Sequence, residues 1–424
     1  MSYSEQMLAA LDDQNLQQAD QLFKQALAND DPETLFNLAE ELQALGFSVQ
    51  SGQIARQLLR QDPDADEARL MLAELAINDD QTDQALNWLA QIKPESPVYP
   101  QSLLTAADLY QTLNLLEVSE QKLLQAKVLL PDEPVVDFAL GELYLTMGRY
   151  QEALAAYQRL ADQKIEYLAQ VSINQRRAEA LAGLGEYEEA VELLTPLTES
   201  LATDDQLFQL GVLQHNLHRE SAAIKTLTRL QQQNSDYSGL YEPLVASELA
   251  AEQPEQALQS AQVGLGYDEF NLNLYRLGAE AALKTGDTKK ASDLLEKGLA
   301  IDNDAESLRA LLGTIVLREG HYQRVVDLLA PLATADQADP QVAWELAVAY
   351  DHLDQVEAAN SAYFQAYAEL KDNPDFMRQF INFLQEEGQT APLKLALQQY
   401  LRLVPDDPEY TELLLDLESD QDDN

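Results

Sequence analysis

The chain of 424 residues contains no cysteine, which excludes disulfides, thiolate zinc sites and cysteine nucleophiles. Histidine is scarce, with four copies, and tryptophan scarcer, with two. Positive charge is thin: 27 Lys and Arg face 73 Asp and Glu, for a formal net charge of −46. Phosphate backbones and anionic lipid headgroups are repelled by such a surface, so neither nucleic acid nor membrane is an expected partner. The acidity has two readings: surplus carboxylates keep a long apolar-cored protein soluble, or they attract a basic partner. No eighteen apolar residues run together, and the opening MSYSEQMLAALDDQ has neither a basic start nor an unbroken apolar stretch. Secretion signals and membrane spans are therefore not expected, and the cytoplasm is the default location. Catalytic motifs are missing too: there is no phosphate-cradling glycine loop, no His-Glu-x-x-His and no Gly-x-Ser-x-Gly.

What the chain does have is 46% hydrophobic residues, far more than a disordered polymer carries, and a strict internal period. A mostly small residue is followed four positions later by a mostly larger apolar one, at Ala85, Ser119, Ala153, Ala190, Ala223, Ala257, Ala291, Val325, Ala359 and Leu393. The separations are 34, 34, 37, 33, 34, 34, 34, 34 and 34 residues. The residues four on are Leu89, Leu123, Tyr157, Leu194, Leu227, Ala261, Leu295, Leu329, Tyr363 and Leu397. About twelve residues before each anchor, two adjacent small or apolar residues precede another apolar one by three positions, most clearly at Leu140, Gly141 and Tyr144, followed by Gly148, Ala153 and Tyr157.

On these residues the chain resembles the tetratricopeptide repeat (TPR) family, whose 34-residue unit runs Leu-Gly, Tyr, Ala, aromatic, Pro. Ala106, Ala107, Tyr110, Ser119, Leu123, Ala126 and Pro131 make another good copy, as do Leu346, Ala347, Tyr350, Ala359, Tyr363 and Ala366. In composition the chain also looks similar to acidic TPR proteins of Gram-positive bacteria. The resemblance implies an all-α, right-handed superhelical solenoid of about twelve stacked helix-turn-helix units. Small residues let helix backbones approach, and large ones fill the gap.

Ala19, Phe23 and Ala26 match a first unit, and Leu38, Ala39, Leu42 and Gly46 a degenerate second one. The expected organisation is degenerate N-terminal units over 1–66, a regular array over 67–408 with a longer unit near 154–189, and a C-terminal capping helix with an acidic tail over 409–424. The capping helix is expected near Tyr410 to Leu417 and the tail from Glu418. The extra residues around Lys164 to Val171 lengthen a helix or loop and are the place for any hinge. Pro63, Pro97, Pro131 and Pro405 fall where a second helix must stop, and Asp62-Pro63-Asp64 and Asp406-Asp407-Pro408 read as helix caps.

His215 and His218 lie one turn apart, yet no third ligand is evident, and exposed histidines are favoured over a metal site. Asp62, Asp64 and Asp66 alternate like the opening of a calcium loop, but Glu67 and Ala73 stand where the loop glycine and closing glutamate belong, so capping is favoured. In the resembled family the first helix of each unit lines the concave wall, with positions i, i+4 and i+7 pointing inward. That frame gives Phe138, Glu142 and Leu145; Gln175, Arg176 and Glu179; Phe208, Val212 and His215; Arg276, Glu280 and Leu283; and Trp344, Val348 and Asp351. Trp344 is either an exposed groove aromatic or, if the frame slips by one, ordinary core. The family's carboxylate clamp is not expected, since only Arg378 and Asn382 resemble it.

The resemblance implies a non-catalytic scaffold or adaptor, needing no cofactor, that binds a protein or peptide with a basic or amphipathic segment in the groove. The alternative is a regulator that senses a short peptide and changes its superhelical pitch on binding.

Overall fold

A computed structural model describes residues 1–199, 202–334 and 339–422. Among them are 25 α-helices, two 3-10 turns and two strands of two residues each. The chain is an all-α repeat solenoid that divides into two compact units, Met1–Leu201 and Ala202–Asn424. The first runs through successive helix pairs, from Tyr3–Asp12 with Leu16–Asn29 to Ile173–Leu184 with Tyr187–Thr198. The second starts at Asp204–Asn216 with Glu220–Gln233 and reaches Pro374–Glu386 with Thr390–Leu403, followed by a last helix, Pro408–Asp422. No helix among the described residues is long and apolar enough to cross a membrane.

The 34-residue anchors are the contacts that hold each pair together. Ala85, Ser119, Ala153, Ala190, Ala223, Ala257, Ala291, Val325, Ala359 and Leu393 are all buried, as is every residue four positions on. In several pairs a glycine of the first helix lies under the large side chain of the second. A Cβ added at Gly141 would stand 2.6 Å from the Tyr157 ring, at Gly211 2.6 Å from Leu227, and at Gly313 2.5 Å from Leu329. The absence of a side chain on one helix is therefore what makes room for the full burial of Tyr157 on the other.

The turn inside each pair is equally regular. One residue there takes a left-handed backbone at Gln14, Gly46, Asp80, Asn114, Gly148, Gly185, His218, Glu252, Gly286, Gly320, Asp354 and Gly388. Glycine occupies half of these positions, because it alone enters this region without a Cβ penalty. Prolines at the first turn of Pro32–Ala44, Pro134–Thr146, Pro340–His352 and Pro374–Glu386 open the next unit with a preset φ. Asp137, fully buried, accepts from Lys127 Nζ and Arg159 Nε, each at 2.8 Å, and so ties three consecutive helices together.

Three details differ from the expectations above. The extra residues after Ala153 form a hairpin: Tyr167–Leu168 pairs antiparallel with Val171–Ser172, and Ala169 and Gln170 between them both have positive φ. Asp62 and Asp64 do not cap the next helix, whose N-cap residue is Ala65 with no side-chain bond. Instead Asp62 Oδ1 accepts from the Asp64 backbone, Asp64 pairs with Lys93, and Asp66, inside the helix, pairs with Arg69. The last helix also extends further than expected, from Pro408 through Asp422, while Asp407 Oδ2 accepts from the Tyr400 hydroxyl.

One buried acid lacks full compensation. Glu248 accepts from Ser260 through Oε1, at 3.1 Å, whereas among the described residues its other oxygen has no partner. Burial raises its pKa to about 7. A carboxyl whose folded pKa is raised stabilises the fold below its unfolded pKa, near 4.5, and loses that contribution as pH climbs through 7. Glu248→Gln is expected to raise stability at pH 8 by about 1–3 kcal/mol and to change little at pH 4.5, as read from urea midpoints. Gly141→Ala should cost about 1–3 kcal/mol, because Tyr157 has no room to move. Gly266→Ala, with nothing within 4 Å of its Cβ position, should stabilise by up to about 1 kcal/mol in the same assay.

Candidate binding groove

On each first helix the core takes one stripe and leaves the next one half-buried. In Asp204–Asn216, Leu207, Leu210 and Gly211 face the core, while Phe208 and Val212, each one residue after a core position, and His215, a turn beyond Val212, are half-buried. All thirteen residues Phe138, Glu142, Gln175, Arg176, Glu179, Phe208, Val212, His215, Arg276, Glu280, Trp344, Val348 and Asp351 share this intermediate exposure. They fall into three groups of different chemistry.

The first is an ion-pair strap. Glu142 accepts from Arg176 Nε at 2.9 Å and Nη2 at 3.0 Å, and the Tyr157 hydroxyl donates to it as well. Arg176 Nη1 donates to Glu179 at 2.8 Å. Burial first, then the Glu142 carboxylate, pushes the Tyr157 phenol far above its ordinary range, so it remains a donor. Phe138 sets its ring edge-on to Tyr157, with centroids 6.3 Å apart. Gln175 lies at the start of the same helix as Arg176, its backbone N–H donating to Ser172 Oγ at 3.4 Å. These charges already satisfy one another across a 34-residue interval.

The second group surrounds a cleft of about 390 Å³ in Ala202–Asn424, lined by Phe208, Val212, His215, Glu242, Asn273 and Arg276 among others. Its floor is apolar and its rim is wired. His215 Nδ1 lies 2.9 Å from Glu220 Oε2 and 3.1 Å from Ser247 Oγ, so His215 is anchored in the wall rather than solvent-exposed. Arg276 donates through Nε and Nη2 to Asn273 Oδ1, at 3.0 and 2.7 Å, and through Nη1 to Glu280. Asn273 in turn donates to Glu242. His218 sits in the turn with positive φ, and no group of three or more His, Cys, Asp and Glu among the described residues could hold a metal ion.

The third group holds Trp344, Val348 and Asp351. Trp344 packs edge-on against Phe376, with centroids 5.6 Å apart, and its indole N–H donates to Gln379 at 2.9 Å. It is half-buried, with its ring against the core and its polar edge bonded to the next repeat. Val348 and Asp351 line a cleft of about 530 Å³. Arg378, which resembled a clamp residue, is paired with Asp375.

YpiA-like tetratricopeptide repeat models match residues 111–165 and, for the C-terminal repeats, 340–407. General tetratricopeptide repeat models match residues 50–109 and 176–194. The TPR repeat-containing protein YpiA of Bacillus subtilis (strain 168) is 36% identical over 359 residues, 84% of each chain. The chain belongs to the YpiA-like family of tetratricopeptide repeat proteins. Among solved structures it is similar to a tetratricopeptide repeat protein from Parabacteroides merdae, at TM-score 0.45 and 18% identity over 59% of this chain and 98% of that one. It is also similar to the Cut9-Hcn1 hetero-tetramer of APC/C, at TM-score 0.42 and 13% identity over 97% and 95%. Tetratricopeptide repeat proteins are generally non-catalytic scaffolds for protein–protein interaction.

Sequence reasoning began the frame at Phe138 and so missed its earlier copies. Steps of 34 residues backwards give Leu104, Leu70 and Phe36 for Phe138, and Asp108, Glu74 and Glu40 for Glu142. Two further clefts of this YpiA-like chain, of about 410 and 650 Å³, are lined by these residues and share Glu74 and Asn78. The same step forward from Phe208 and Val212 reaches Glu242 and Ala246, which also line the 390 Å³ cleft. The Glu142–Arg176 pair supplies the test of the strap. Arg176→Ala is expected to destabilise by about 1–2 kcal/mol, and the Glu142→Gln/Arg176→Ala double variant by less than the sum of the singles. A double-mutant cycle on urea midpoints measures that coupling.

Proposed function

We propose that the chain is a non-catalytic cytoplasmic scaffold that holds a polypeptide segment against the inner stripe of its first helices, and that this segment carries basic residues interspersed with apolar ones. One observation carries the reading: the apolar–acidic ladder Phe36/Glu40, Leu70/Glu74, Leu104/Asp108 and Phe138/Glu142, repeated with the period of the fold. Apolar rungs offer burial, and acidic rungs between them repel other anionic segments, so register and charge select the partner together. Among the described residues Glu40, Glu74 and Asp108 have no cationic side chain paired to them, unlike Glu142. Membership of a family of interaction scaffolds supports the same reading.

The experiment is a crosslinking capture from the native host, followed by binding of the purified partner. Glu74→Lys/Asp108→Lys should weaken that binding about tenfold or more without lowering the melting temperature by more than a few degrees. Equal affinity for the charge-reversed protein, or for Leu104→Glu, would remove the groove from the interaction. Capture of a short peptide, with compaction of the free chain in solution scattering, would favour peptide sensing instead.

A further inference from the structure

The 530 Å³ cleft between Pro340–His352 and Pro374–Glu386 gathers four carboxylates around one cavity. At two other places on the stripe a carboxylate is neutralised by a neighbouring arginine, Glu142–Arg176 and Glu280–Arg276. Here Asp351, Asp354, Glu386 and Glu387 line the cavity, and among the described residues no Lys or Arg is paired with any of them. The cation-capable group that lines the cavity among the described residues, His352, is stacked on Tyr322 with ring centroids 4.2 Å apart. Burial, and next the Glu386 carboxylate, holds the Asp351 carboxyl above the usual carboxylate range, which His352 offsets only in part.

A second, independent feature is Tyr363. It comes from the helix behind the cleft, Val356–Leu370, and is 2% exposed, wedged among Phe376, Phe380 and Phe383. It nevertheless lines the cavity, and among the described residues its hydroxyl has no hydrogen-bond partner. The ring is enclosed while the hydroxyl opens onto the cavity. Burial, then the Asp351 and Glu386 carboxylates, keeps it protonated, so it has both a proton and lone pairs to offer. Carboxylates on two helices and an unused hydroxyl between apolar walls, Val348 and Phe383, present acceptors in several directions at once. That suits a planar, five-donor group better than a point charge. Chelation of a metal ion is disfavoured, because no cluster of three or more ligating side chains with metal-site geometry occurs among the described residues.

We infer that this cleft is a specific receptor for an arginine side chain of the bound polypeptide, with Asp351 and Glu386 pairing the guanidinium and the Tyr363 hydroxyl accepting one of its N–H groups. The inference rests on the groove reading above and deepens it by naming one side chain of the partner and its place.

Trp344 provides the readout, because its N–H is bonded to Gln379 on the cleft wall, and Trp88→Phe removes the only other tryptophan. The full chain carrying that change is titrated with the capped peptide acetyl-Ala-Leu-Arg-Leu-Ala-amide. Saturable change in Trp344 emission is expected, and its citrulline counterpart, equal in shape but uncharged, should give none. Asp351→Asn/Glu386→Gln should weaken binding roughly ten- to hundredfold. Glu357→Gln/Glu369→Gln, the same charge change at exposed positions outside the cleft, should stay within about twofold. Tyr363→Phe should weaken binding about fivefold while leaving the melting temperature nearly unchanged, since among the described residues the hydroxyl has no partner and faces the cavity. Equal affinity of the cleft variants and the parent overturns the inference, as does calcium chloride alone reproducing the emission change. If the peptide instead depends on Glu74 and Asp108, the arginine site falls and the groove reading stands.

Discussion

Everything in this molecule depends on close approach of two helix backbones, repeated at a fixed interval. Where Gly141 meets Tyr157 or Gly211 meets Leu227, one helix contributes empty space and the other fills it. Such a contact fixes the distance and angle between the paired helices, and it leaves each pair with an apolar face that only another pair can cover. The left-handed residue in every intra-pair turn is the geometric partner of that contact, since a short connection must reverse the chain without pulling the helices apart.

From that constraint the inner stripe follows. Once positions such as Leu207, Leu210 and Gly211 are committed to the core, the residues one step along are held half-buried, and they recur in line because the unit recurs. A stripe of this kind is a surface whose chemistry can vary without disturbing the fold. The chain uses it in three ways: as an internal strap at Glu142–Arg176, as wired cleft walls at His215 and Arg276, and as an acid-lined cavity near Asp351. The same period that stabilises the array spaces the sites along it.

Much of the fold was legible in residue order alone. Anchors at 34-residue intervals located the buried contacts, since small and large residues at helical spacing have few other uses in a chain with no cysteine and no catalytic motif. Local chemistry misled where several short-range solutions compete. Asp62 and Asp64 looked like caps, but a lysine from the next unit and a backbone N–H claimed their oxygens first. The residues around Lys164 to Val171 gave no strand signal, because a hairpin of two pairs is set by two left-handed residues, Ala169 and Gln170, that are not usual turn formers. The thirteen residues read into the stripe share one intermediate exposure, whereas its reach into Phe36, Leu70 and Leu104 becomes plain only once those clefts are seen.

By itself the sequence determined the all-α class, the period, the identity of the buried anchors and the excess of negative charge. These follow from spacing and composition, which no partner in space can alter. Tertiary structure alone decided which charges are free. Glu142 and Asp351 are both half-buried acids on the same stripe, but one is claimed by an arginine 34 residues away, while the other faces more carboxylates and a tyrosine that has no hydrogen-bond partner among the described residues. The reason is that electrostatic neighbours are set by three-dimensional distance, and along a stacked array the nearest charge belongs to another repeat.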